Sequence, residues 1–200
     1  NAMVYIRGHR EDYDHWAELG NTEWSYEKLL PIFKRCEGYV GTGSDDYHGR
    51  NGQLWVDDVQ NRYEMAELYV KAAQESGIPF NPDFNGERQE GAGFYQVNIR
   101  RGRRQSTAKT HLRSAAKRPN LHIATGAYAT QILFEGHRSR GLRYLQNGKE
   151  ITVRCRGEII LCGGTINSPQ LLELSGIGNA EMLAQKGIKP LKNLPGVGEN

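Results

Sequence analysis

The 200-residue sequence predicts a mixed α/β fold. Three observations carry that prediction. Apolar residues recur at helical spacing in the first part of the chain and again after residue 168, while five short segments between Leu121 and Cys162 read as strands. The last of these, Glu158-Ile159-Ile160-Leu161-Cys162, is a continuous apolar run, the pattern of a strand buried on both faces of a parallel sheet. A hydrophobic share of 38% is enough to build a core, and 24% charged residues match an ordinary soluble chain.

Taken in order, Glu11 to Leu19 reads as a short helix with Trp16 and Leu19 on one face, ended by Gly20-Asn21. Ser25 is the expected N-cap of a second helix, Tyr26 to Cys36, whose stripe is Leu29, Leu30 and Phe33 and whose Pro31 should kink it or restrict its first turn. Gly38 to Gly52 holds five glycines and reads as loop, and Leu54 to Val56 as a short strand. Asn61 is placed to cap a helix Arg62 to Ser76, with Met65, Leu68, Ala72 and Ala73 at helical spacing and Gly77 as its stop. Pro79 to Gly93 is again loop, Phe94 to Ile99 alternates like a strand, and Ser106 should cap a basic helix to about Lys117. The five β segments are Leu121–Ala124, Tyr128–Phe134, Gly141–Gln146, Ile151–Arg154 and Glu158–Cys162, with Glu135-Gly136 and Asn147-Gly148 at turns. After Gly163-Gly164, Ser168-Pro169 should open a helix through Leu171, Leu172 and Leu174.

Charge and cysteine usage narrow the function classes. Cys36, Cys155 and Cys162 are odd in number and lack C-x-x-C spacing, which suggests neither a disulfide framework nor a zinc site. A reducing cytoplasm is the simplest reading. No apolar run approaches the roughly 20 residues that span a bilayer, and Asn1 to Arg10 does not read as a secretion leader. Between Arg100 and Arg118 lie eight of the 26 basic residues and no acid, so the rest of the chain is net −5. That basic helix (residues 104–118) leaves open a second class of function, a non-catalytic nucleotide- or nucleic-acid-binding module. It lacks interleaved aromatics for base stacking, and a solvated helix face with a cofactor or interdomain contact is the favoured expectation.

The strand, glycine turn and helix start at 158–169 form an arrangement in which backbone N–H groups can approach a phosphate or nucleotide ring, although Gly163-Gly164 suit a plain tight turn equally well. The run from Gly164 through Asn167-Ser168-Pro169-Gln170 to Ser175-Gly176-Ile177-Gly178 resembles the second signature of the glucose–methanol–choline oxidoreductases. Asn1 to Gly8, continuing to Asp14, is similar to the second half of that family's first signature. Asp14-His15-Trp16-Ala17, Trp24-Ser25-Tyr26, Tyr47-His48-Gly49 with Gly52, Arg103 to Ala108 and Leu194 to Asn200 extend the likeness over essentially the whole chain. The branch most resembled is that of choline and aliphatic alcohol dehydrogenases.

The resemblance implies an FAD-binding, Rossmann-like domain with a portion of the substrate domain attached, the chain being an interior piece. It divides the chain into a flavin-contacting segment with helices (1–39), a substrate-domain portion (40–105) and a continuation of the FAD domain (106–200). It carries over Asn1, Ala2, Met3 and Val4 as flavin and pyrophosphate contacts, Ala129 at the adenine end, and Gly163, Gly164 and Asn200 near the cofactor. It further implies oxidation of a primary alcohol to an aldehyde, a small-molecule alcohol substrate, quinone or oxygen as electron acceptor and no nucleic-acid partner. The implied location is cytoplasmic, or peripheral to the inner membrane. Departures exist: Ala2 and Asn167 stand where glycine is common, Cys162 where Ser or Ala is usual, and no G-x-G-x-x-G occurs. The family's active-site His, with its His or Asn partner, matches none of His9, His15, His48, His111, His122 and His137, each of which reads as a surface or packing residue. No catalytic residue and no metal ligand is therefore assigned.

Overall fold

A computed structural model describes residues 2–199 and divides into two compact units, one running to Leu121 and the other beginning at His122. The first unit opens with β1 (Val4–Tyr5) and α1 (Arg10–Glu18). His9 caps α1, its Nδ1 accepting the Glu11 amide at 3.3 Å while Asp12 accepts the His9 amide at 3.1 Å. A 3₁₀ turn at Thr22–Trp24 leads into α2 (Tyr26–Cys36). The expected Ser25 cap is not made through its side chain. Asp14 on α1 takes the role instead, accepting the Tyr26 amide at 2.9 Å, so one helix caps the next. Pro31 sits inside α2, which runs unbroken past it.

Beyond α2, β2 (Glu37–Tyr39) pairs in parallel with β3 (Leu54–Val56), and the loop between them folds back against the helix end. A β-carbon on Gly49 would strike the Lys34 carbonyl, so only glycine lets this loop lie so close. The next helix, α3 (Glu64–Glu75), has Tyr63 rather than Asn61 at its N-cap, makes no side-chain cap, and begins two residues later than expected. The alternating stretch at 94–99 forms two short strands rather than one, β4 (Gln96–Val97) and β5 (Ile99–Arg100). The first pairs with β1 and the second turns back on β6 (Arg103–Arg104). The basic helix is irregular: a π-helical stretch Ala108–Leu112 runs into α4 (Arg113–Ala115). Tyr26, Leu29, Tyr39, Val56, Val70 and Phe84 form the apolar core of this unit.

The second unit is built on an antiparallel meander of β7 (Tyr128–Glu135), β8 (Arg138–Gln146) and β9 (Lys149–Arg154). Asn147 and Gly148, both at positive φ, make the two-residue turn that the twist of a hairpin favours. Helix α5 (Gly164–Leu174) packs on β7, and β10 (Ile177–Gly178) pairs in parallel with β11 (Lys192–Asn193) around α6 (Ala180–Gln185). Ser175 ties helix to sheet: its hydroxyl donates to the Leu171 carbonyl at 2.6 Å and accepts the Ile132 amide at 2.8 Å. Leu183 and Ile132 are buried, each contributing about 1.5–3 kcal/mol by removal from water.

Two predicted strands do not form. Leu121–Ala124 and Glu158–Cys162 take no ladder pairing among the described residues, and Ile160 is 79% exposed. A strand needs a neighbour for its backbone groups, and neither segment pairs with an edge of the β7–β8–β9 meander. Helix α5 also begins four residues before Ser168, with Pro169 inside it.

Candidate cofactor-binding site

In the first unit, Ala2 and Met3 sit at φ 46° and 64°, the left-handed region that residues with a β-carbon avoid at about 1–2 kcal/mol each. Two in succession persist only where the surroundings hold them. The hold comes directly afterwards: the Met3 carbonyl accepts the Asn98 amide at 2.8 Å, and Val4 and Tyr5 register against Val97 and Gln96. The segment expected to meet the flavin is thus a fixed bend anchored on a strand. Asn1 and Asn200 lie outside the described residues.

Beneath that anchor lies a buried polar network that the sequence reading did not foresee. Arg7, 7% exposed, gives one guanidinium N–H to Glu37 Oε2 at 2.8 Å and another to the Tyr47 carbonyl at 2.7 Å. Glu37 also accepts the Gly49 amide at 2.9 Å and sits 3.1 Å from His48 Nδ1. The other ring nitrogen of His48 is 2.9 Å from Asp83 Oδ2, and Tyr39 stacks on the ring with centroids 4.1 Å apart. Gln96 donates to Asp83 and accepts from Asn85, which in turn donates to the Tyr5 carbonyl and accepts the Arg7 amide. Burial works against a charged His48, but its bonds to Asp83 and Glu37 outweigh it and raise the pKa. Burial likewise works against the Asp83 carboxylate, and the His48 bond overrides it, lowering that pKa. Both ring nitrogens of His48 thus face carboxylates, an arrangement that favours its charged form, and the buried ring has no face left for chemistry. The only trace of this in the sequence is the Tyr47-His48-Gly49 motif.

In the second unit, Ala129 and Gly163 come together on the wall of one cavity of about 310 Å³, shared with Leu142, Ile160, Asn167 and Leu171. Ala129 pairs with Tyr144 beside an irregularity in the β7–β8 ladder, where Thr130 turns its hydroxyl to the Arg143 carbonyl. Bulges of this kind re-aim neighbouring groups. The Gly163 amide is already taken by Ser168 Oγ at 3.0 Å, and that bond fixes the turn. Gly164 follows at φ 83°, in open space that a β-carbon would not crowd. A mostly apolar slot with two amide side chains, Asn167 and Gln170, and exposed main chain suits a flat heteroaromatic ring held by packing and backbone contacts. The residues present are compatible with the adenine end of FAD.

Among the described residues no cluster of His, Cys, Asp and Glu is arranged to hold a metal, and no helix is long and apolar enough to cross a membrane. The three cysteines are free.

Comparison with known proteins finds relatives over essentially the whole chain. An alcohol dehydrogenase (acceptor) from Pseudomonas putida is 43% identical over 202 residues, covering 100% of this chain and 37% of the relative. The mitochondrial choline dehydrogenase of Homo sapiens is 42% identical over 200 residues, covering 100% of this chain and 34% of the relative. The chain thus spans little more than a third of these relatives. Among solved structures, pyridoxine 4-oxidase from Mesorbium loti superposes with a TM-score of 0.88 at 31% identity, over 98% of this chain and 38% of that one. An FAD-dependent oxidoreductase from Chaetomium thermophilum gives 0.86 at 29% identity, over 98% and 36%. The family described as GMC oxidoreductase matches residues 1–200, and the chain belongs to that family.

Proposed function

We propose that the protein carrying this chain is an FAD-dependent oxidoreductase that converts a primary alcohol to an aldehyde. The observation that supports it most is the shared cavity of Ala129 and Gly163, two residues 34 positions apart that the family resemblance assigns to the same cofactor. In this reading Ala129 and the main chain at Gly163 and Gly164 hold the adenine end. Asn1, Ala2, Met3 and Val4, with Asn200, contact the flavin and pyrophosphate. Bound FAD supplies the hydride acceptor. The left-handed bend at Ala2-Met3 holds the backbone in one orientation toward it, and the network under β1 keeps that bend rigid.

The division into 1–39, 40–105 and 106–200 belongs to the same proposal, as do an alcohol substrate of the choline or aliphatic class and quinone or oxygen as acceptor. So do the absence of a nucleic-acid partner and a cytoplasmic or peripheral inner-membrane location. No residue here is assigned as the base. The purified full-length protein should be yellow, and anaerobic addition of choline or a medium-chain primary alcohol should bleach its flavin absorbance. A protein purified without flavin, or a flavin that no alcohol bleaches, would defeat this assignment.

A further inference from the structure

Neither the fold nor the flavin reading uses the charge between Arg100 and Arg118. Within the first unit, Arg100, Lys109 and Arg113 converge on an open cavity of about 470 Å³ that Arg50, Gln53 and Trp55 also line. No acidic residue is on its wall. Arg50 is already committed, donating to the carbonyls of Tyr39, Gly41 and Gly43 and pairing with Asp45 at 2.6 Å. The other three cations have no ion-pair partner among the described residues. The Arg100 guanidinium lies 4.1 Å from the Trp55 ring centre. Trp55 Nε1 is buried and finds no acceptor among the described residues.

Three unpaired cations facing one cavity repel one another, and an anion seated among them relieves that repulsion. Two of the three are arginines, whose planar forks match pairs of phosphate oxygens. We propose that this cavity binds a small phosphate-bearing ligand. A nucleic acid is disfavoured because the wall carries one aromatic ring, covered by Arg100, and so offers no stacking platform. The site lies within the first unit and does not depend on the alcohol-oxidation reading.

The test uses the flavin-loaded protein titrated with inorganic pyrophosphate by calorimetry and by tryptophan fluorescence. Saturable one-to-one binding is expected with the flavin spectrum unchanged, together with a fluorescence change that Trp55→Phe removes. Lys109→Gln and Arg113→Gln should each weaken binding by about tenfold, the scale of one charge-assisted hydrogen bond. Lys117→Gln, on the same basic segment but off the cavity wall, should leave it unchanged. Equal weakening by Lys117→Gln would mean diffuse attraction and overturn the proposal. So would release of flavin by pyrophosphate, binding of an oligonucleotide without binding of pyrophosphate, or no saturable binding.

Discussion

The two units solve the problem of unsatisfied groups in opposite ways. The first buries charge and satisfies it internally: Arg7, Glu37, His48, Asp83, Asn85 and Gln96 partner one another, and Glu37 and the His48 side chain are fully enclosed. The second buries little polar matter and instead lines its cavity with apolar side chains, Leu142, Ile159, Ile160, Leu161 and Leu171 among them. A closed polar network specifies one geometry, because every misplaced member strands a partner. An open apolar wall specifies only a kind of occupant. The bend proposed to face the flavin and the slot proposed for its adenine end accordingly draw on different physics, one on rigidity and the other on a surface that gains from being covered.

The sharpest way to break the comparison is to remove the hub of the network. Glu37→Ala strands Arg7, His48 and the Gly49 amide together, and uncompensated buried charge of this kind costs about 3–5 kcal/mol. Urea denaturation of the flavoprotein should show a loss of that size in the first unit. A loss under about 1 kcal/mol would show that water reaches the network and that its closure is not what holds the bend.

A second test reads the same network through pH. His48 has its pKa raised above the ordinary 6.5, so its contribution is complete below that value and drains away as pH rises through the folded value. Asp83 has its pKa lowered from 3.8, so its contribution is complete above that value and is lost as pH falls through the folded one. Stability from this pair should therefore plateau between 3.8 and 6.5. On the alkaline side the decline should approach about 1.4 kcal/mol per pH unit, the limit for one proton. His48→Gln should flatten that decline at a lower overall stability. An unchanged alkaline slope in the variant would assign the proton to another group.

How much of this was legible in the sequence follows from range. The Tyr26–Cys36 helix, the Leu54–Val56 strand and the Asn147-Gly148 turn were readable because each is decided by residues within a few positions. The strand expected at 158–162 was not, since an apolar run states a preference for burial and a strand also needs a hydrogen-bonded neighbour. The network was invisible for a related reason: Arg7 and Glu37 lie 30 positions apart and His48 and Asp83 lie 35 apart, distances at which no periodicity operates. Asp14 capping α2 is the intermediate case, a good capping residue whose target lies twelve residues on. Ala129 was proposed through resemblance alone, and Gly163 through resemblance added to a strand, glycine turn and helix pattern that suits a plain turn equally well.

The smallest effect is also the one that separates cofactor contact from plain turn geometry. Gly164 stands at φ 83° with no described atom within 4 Å of where its β-carbon would be. Gly164→Val should therefore cost the protein only its backbone strain, about 1–2 kcal/mol. Gly187, at φ 75° and equally open, carries the same strain in the same unit, and Gly187→Val is the control. If the main chain at Gly164 lies against FAD, its variant should lose flavin well beyond the control at matched apo stability, because the new side chain enters space the cofactor needs. Flavin content by absorbance and thermal unfolding of the apo form give the two readouts. Equal flavin loss in both variants would reduce Gly163-Gly164 to a turn, and would leave Ala129 with its cavity as the second unit's remaining claim on the cofactor.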